Sequence, residues 1–148
     1  MRFFNRQSNP SPPIADRWEV FEGKYNGRRL VASFNTDAKR LIGHSDFGIR
    51  IGIAVPLRAP DSEGFPGQAE LSQLTAFEDA LVEETRGQAV LVGVITTASM
   101  REFVLYTGAG DWLPGLHDRL RANLPSHDVQ MVARTDPAWS VYREFVPN

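Results

Sequence analysis

The sequence predicts an α+β fold in which one antiparallel sheet carries two helices on the same face. Three observations predict it. Phe47, Ile49, Ile51, Ile53, Val55 and Leu57 alternate with Gly48, Arg50, Gly52, Ala54 and Pro56, the period of a pleated strand. Two helical patterns follow, over 70–86 and 111–124. Short β-rich runs lie at 89–97, 101–107 and 129–134. From 46 to 134 the order is therefore strand, helix, strand, strand, helix, strand, the ferredoxin-like split βαβ arrangement.

Each element has a local reason. Residues 1–16 are polar, with Pro10, Pro12 and Pro13, and read as a flexible proline-rich tail. Residues 17–148 read as a single α+β domain, the usual size for one. Asn26-Gly27 separates two β-rich runs, 17–25 and 28–35. Both residues tolerate positive φ, so an N-terminal β-hairpin is expected. Residues 36–45 form a polar connection with room for one helical turn. In 70–86, Leu71, Leu74, Phe77 and Leu81 fall on one stripe, and Gly87 ends the helix. The run 89–97 is too apolar for a strand with a wet face. Ser99-Met100 turns the chain into 101–107. In 111–124, Leu113, Leu116, Leu120 and Leu124 share a side, and Asp111 is the candidate N-cap. Asp136-Pro137 opens a short C-terminal helix, since Asp caps and Pro suits the first helical position.

Composition narrows the function. The absence of cysteine excludes a disulfide framework, a thiolate metal site and a cysteine nucleophile. The net charge of -2 hides an asymmetry: residues 1–58 carry +5 and residues 59–148 carry -7. A nucleic-acid binder usually shows a basic excess, so the balance argues against that partner. No apolar run reaches the length of a membrane span or of a signal peptide's apolar core, so the expected location is cytoplasmic.

The candidate chemistry is sparse. His44-Ser45-Asp46 has the side chains of a hydrolase triad, but neighbours in sequence rarely converge in the required order, and the segment reads as a polar turn. His44, His117 and His127 lack the spacing that puts two imidazoles on one helix face, so no metal site is expected. Gly108-Ala109-Gly110 joins a strand to a helix, but the phosphate-loop and dinucleotide signatures are missing, and no cofactor is implied. Phe103-Val104-Leu105-Tyr106 matches the end of the RNA-recognition signature on the appropriate strand. Arg101 and Glu102 break that motif, and 49–55 has no aromatic to stack a base. Trp139, Tyr142 and Phe145 recur every three residues and read as a packing stripe, expected to dock on the small-residue sheet face around Gly52 and Ala54. Glu78, Asp79, Glu83 and Glu84 form an acidic helix face able to meet a basic protein partner.

Four segments together resemble a bacterial family, domain of unknown function 695. They are Trp18-Glu-Val-Phe, Leu91-Val-Gly-Val-Ile-Thr-Thr, Arg101-Glu-Phe-Val-Leu-Tyr and the closing Asp136-Pro-Ala-Trp-Ser-Val-Tyr, the most specific of the four. The resemblance spans 17–148 and brings no activity with it. In outline the family is similar to the regulator of ribonuclease activity B group, small acidic proteins that inhibit an RNA-degrading enzyme by binding it.

No catalytic residue set emerges, so the first expectation is a non-catalytic regulatory or protein-interaction module, more a non-enzyme than an enzyme. The second is a small-molecule-binding or enzymatic domain, with a site on the open sheet face or near the 108–111 turn that uses Arg50, Arg101, Tyr106 and Asp136. The third is an RNA-binding ferredoxin-like domain acting through Arg101 and Phe103. Trp139 joins these as a binding candidate if its stripe is exposed. A homodimer is left open.

Overall fold

A computed structural model describes residues 12–147. The hairpin strands β1 (Trp18–Tyr25) and β2 (Arg28–Asn35) lead through 3-10 turns at Thr36–Leu41 and Ser45–Phe47 into β3 (Ile49–Pro56). There follow α1 (Gln68–Thr85), β4 (Ala89–Thr97), β5 (Met100–Thr107), α2 (Leu113–Asn123), β6 (Gln130–Thr135) and α3 (Ser140–Phe145). The strands form one sheet in the order β1-β2-β4-β5-β3-β6, every pair antiparallel. The segment from β3 to β6 has the ferredoxin-like order, and the hairpin extends it beside β4.

The hairpin turn follows from its sequence. Asn26 and Gly27 take φ of 52° and 78°, the mirror-image turn that matches strand twist. The β4–β5 turn uses the same device without glycine, at Ala98 (φ 52°) and Ser99 (φ 64°), one residue earlier than expected.

On one face, Ile51, Ile53 and Val55 of β3 and Phe103 and Leu105 of β5 meet α1 and α2. The helices contribute Leu74, Phe77, Leu81, Leu113, Leu116 and Leu120, all buried, each stabilising by about 1.5–3 kcal/mol relative to exposure. The α1 stripe differs from expectation at its first turn. Leu71 is 41% exposed, and Glu70 faces inward instead. Asp111 does not cap α2; Trp112 occupies the N-cap position with no side-chain cap bond.

The second face has its own core. Ala32, Phe34, Val92, Val104 and Tyr106 from the sheet meet Ala38 and Leu41 of the first 3-10 turn and Trp139, Tyr142 and Val146 around α3. This explains why β4 and β5 are apolar on both faces. The aromatic stripe docks as expected, but not over Gly52. The Glu102 carboxylate lies where a Cβ of Gly52 would stand. Trp139 instead stacks on Tyr106, with ring centroids 4.0 Å apart, and Phe145 stacks on Phe34 at 4.7 Å. Phe34 in turn lies over Gly93 at a bulge in β4, where an added Cβ would fall 2.2 Å from the ring.

Asp136 caps later than its sequence position implies. Its Oδ1 accepts from the Ser140 amide and hydroxyl, both at 2.9 Å, so α3 begins at Ser140 and not at Pro137. Trp139 bridges the gap in the left-handed region (φ 56°), a strain of about 1–2 kcal/mol. Burial of the indole and its Nε1–H bond to the Phe47 carbonyl (2.8 Å) offset it. The segment read as a tail lies outside the described residues up to 11. Its end is tied down: the Ala15 amide donates to Asp37 (2.7 Å), and Ile14 packs on the second core.

Trp139→Ala is expected to lower the unfolding free energy by about 3–5 kcal/mol. Gly93→Ala, which forces the Phe34 ring away, should remove about 1–3 kcal/mol, and Val20→Ala, at an exposed site, should stay within about 0.5 kcal/mol. Urea denaturation of the three variants checks this order.

Candidate functional site

Four of the six sequence-derived site residues meet on the second face. The Tyr106 hydroxyl donates to Asp136 Oδ2 (2.8 Å), Trp139 covers the Tyr106 ring, and Arg50 Nε lies 3.7 Å from the same carboxylate oxygen. That last distance is too long for a hydrogen bond, and Arg50 Nε is buried without a hydrogen-bond partner among the described residues. Burial pushes the Asp136 carboxyl up, but the Ser140 amide and the Tyr106 and Ser140 hydroxyls outweigh it and hold it below the ordinary range. Burial, then the hydrogen bond to Asp136, pushes the Tyr106 phenol far above its usual value, so it stays a neutral donor. The ring faces are filled by packing. The group locks α3 to the sheet and covers the sheet face at Tyr106.

Arg101 and Phe103 lie on the other side of the sheet. Phe103 is fully buried against Phe77, ring centroids 5.5 Å apart, so it cannot stack on a base; the RNA-binding reading fails here. The 108–111 turn does border a cavity of about 420 Å³, between Asp46, Gln88, Thr107, Asp111 and Trp112. Asp46 and Asp111 line it and no cationic side chain does, which is unsuited to an anion. His44 caps the neighbouring turn, its Nδ1 accepting from the Asp46 amide, and takes no part in a triad.

A second polar cluster went unrecognised in the sequence. Inward-facing Glu70 accepts from the backbone amides of Arg58 (2.6 Å) and Ala59 (3.0 Å) and pairs with His127 Nε2 (2.6 Å). Ser126 Oγ lies 2.9 Å from His127 Nδ1. The side-chain types are those of a Ser-His-acid triad, but the carboxylate is engaged by two backbone amides and acts as a clamp joining the β3–α1 loop to the α2–β6 loop. Burial raises the Glu70 carboxyl, while the Arg58 amide, His127 and the Ala59 amide together pull it below its usual value.

A partly uncovered surface lies on the helix side of the hairpin. Trp18, Val20, Val31 and Ser33 face the same way as the helices, but α1 and α2 stop short of them. Trp18 remains 38% exposed and Val20 67%. A cleft of about 400 Å³ lies between this face and α1, floored by Val31, Ser33, Val94 and Thr96 and flanked by Trp18, Glu78 and Arg101. A second hollow of about 420 Å³ continues it past Trp18 and Glu78 to Val82, Arg86 and Ile14. Together they form a groove along α1. Arg101 is anchored at its inner end by Nε donating to Thr96 Oγ1 (3.1 Å). Burial raises the Glu78 carboxyl, with Arg101 opposing, and burial weakens the Arg101 cation, with Glu78 opposing. Of the sequence-derived residues only Arg101 and Glu78 reach the groove. Strand arithmetic points to the rest: two helices, each about 10 Å wide, cover about four strands spaced about 4.8 Å apart, and this chain has six.

The pH dependence of stability follows from the two carboxylates and the buried phenols. Glu70 and Asp136 titrate lower in the folded protein than their ordinary 4.5 and 3.8. Their contribution is present above those values and is lost as pH falls through the folded ones. Burial lifts Tyr106, and Tyr142 up to about 12, from 10.0, so their contribution is present below 10 and is lost as pH rises beyond it. Through these four groups urea midpoints should fall as pH drops below about 4 and as it rises above about 10, while the Glu78 and Glu102 carboxyls, raised by burial, add a loss as pH rises past 4.5. Glu70→Gln should lower stability by about 1.5–3 kcal/mol at neutral pH and flatten the acid limb. Tyr106→Phe should flatten the alkaline one.

Comparison with known proteins adds one finding. No curated protein and no solved structure gives a significant match. Residues 16–146, nearly all of the described chain, match the family described as "Family of unknown function (DUF695)", and the chain belongs to that family.

Proposed function

We propose that the protein is a non-catalytic regulatory or interaction module that receives a basic, amphipathic segment of a protein partner in the groove along α1. The observation that carries this reading is the unroofed hairpin face. Trp18 and Val82 are exposed apolar side chains along the groove, and Val20 adjoins it on the same face. Aromatic anchors in a partly covered groove are the usual centre of a binding surface.

Charge supports a basic partner. Of the acidic helix face, Glu83 pairs with Arg86 and Glu84 with Arg119, both within the chain. Glu78 turns into the groove, and Asp16 lines its outer half. Two acidic side chains thus lie beside the apolar surface, Glu78 facing Arg101 and Asp16 in the outer half, where Arg86 is already paired with Glu83. The outline similarity to the regulator of ribonuclease activity B group, whose members act by binding an enzyme, favours the same kind of role in the cytoplasm of a bacterium. A chain without cysteine suits a reducing compartment. Among the described residues no helix is long and apolar enough to cross a membrane.

The test is capture by the tagged full chain from a lysate of its source cells, at low and high salt, with a control for self-association. A partner retained at low salt, weakened at high salt and lost by about tenfold or more with Trp18→Ala or Val20→Asp, but not with Glu144→Gln, is the expected result. Capture that both groove variants leave unchanged, or recovery of only a second copy of the chain, overturns it.

A further inference from the structure

We propose that the inner end of the groove binds a free amino acid with an apolar side chain, held as a zwitterion between Arg101 and Glu78. The two side chains line the same cleft and sense each other's charge, yet form no direct ion pair among the described residues. Arg101 is fixed through Nε by Thr96, and its two terminal nitrogens make no hydrogen bond with the described residues. A guanidinium held in this way presents its remaining donors as a fork, the geometry that takes a carboxylate. The Glu78 carboxylate likewise has no hydrogen-bond donor among the described residues. It is the acceptor that an ammonium group needs. Leaving two opposite charges half-buried and apart is costly, and a ligand carrying both complementary charges removes that cost at both ends.

The rest of the cleft suits the remainder of such a ligand. Val31 and Val94 supply an apolar floor, the Ser33 and Thr96 hydroxyls are polar points on it, and the Trp18 indole forms a wall. The space of about 400 Å³ is near the lower end of the range for small-molecule sites, about 300–1,000 Å³. A bare anion would meet Glu78 and a bare cation would meet Arg101, so the cleft discriminates against both. The proposal shares a surface with the docking reading but does not rest on it, because it needs no partner.

The test is a titration of the isotope-labelled full chain with L-leucine, N-acetyl-L-leucine and L-leucinamide, followed by NMR. With L-leucine, the Trp18 indole N–H and the Val31 and Val94 amides should shift in a saturable way. Half-saturation is expected at about 1 mM or below, and either blocked form should bind about tenfold more weakly. Arg101→Gln should abolish the preference over L-leucinamide, and Glu78→Gln, at a half-exposed helix position, should abolish the preference over N-acetyl-L-leucine. A urea midpoint for each variant confirms folding, and if Arg101→Gln does not fold the Glu78 arm decides alone. No saturable shift with L-leucine at about 10 mM, or equal shifts with all three compounds, overturns the proposal. The titration contains no partner, so its failure leaves the docking reading standing, and failed capture leaves the titration intact.

Discussion

The structure depends on a mismatch of widths. Six strands at about 4.8 Å make a sheet wider than two α-helices can cover. The chain resolves the mismatch unequally. Over β5, β3 and part of β4 the helices close one face, and over β2, β4 and β5 the C-terminal segment with the first 3-10 turn closes the other. Over the hairpin the helix side is left open, and there an apolar strand face, a tryptophan and two half-buried charges remain together. The groove is thus a consequence of architecture and needs no dedicated loop.

On the second face the polar residues with the most suggestive chemistry are engaged by one another. Asp136 receives the Tyr106 hydroxyl, the Ser140 hydroxyl and the Ser140 amide. These bonds fix the start of α3, which puts Trp139 over Tyr106 and closes the face. A carboxylate so fully engaged has little capacity left for a substrate, and the aromatic rings that could have recognised one are packed against each other. Glu70 behaves alike at the other end of the sheet, where its oxygens hold two loops. In both places a buried carboxylate is satisfied by local donors, as buried charges require, and the acid-base potential is absorbed by structure.

The fold was legible because its signals are local. The alternation in β3, the Asn26-Gly27 turn and the leucine stripe of α2 each follow from short-range rules that hold wherever the segment sits. The aromatic stripe at 139–145 was legible as a packing element, but not its seat, because nothing in Gly52 signals that Glu102 folds over it. The first turn of α1 was misread for a related reason. Glu70 points inward because loop amides and His127, 57 residues away in sequence, receive it there, and periodicity alone prefers Leu71.

The element order, the hairpin turn and the identity of most core residues could be read from the chain alone, since these depend on composition and on neighbours in sequence. Which face each candidate occupies emerged from the assembled sheet. Because strand residues alternate between faces, Arg101 and Phe103 sit across the sheet from Tyr106, and that parity turns one presumed site into a structural lock and leaves Arg101 facing Glu78 in a groove. Facing residues meet through strand register and helix placement, which are properties of the assembled sheet and are not carried by any single segment.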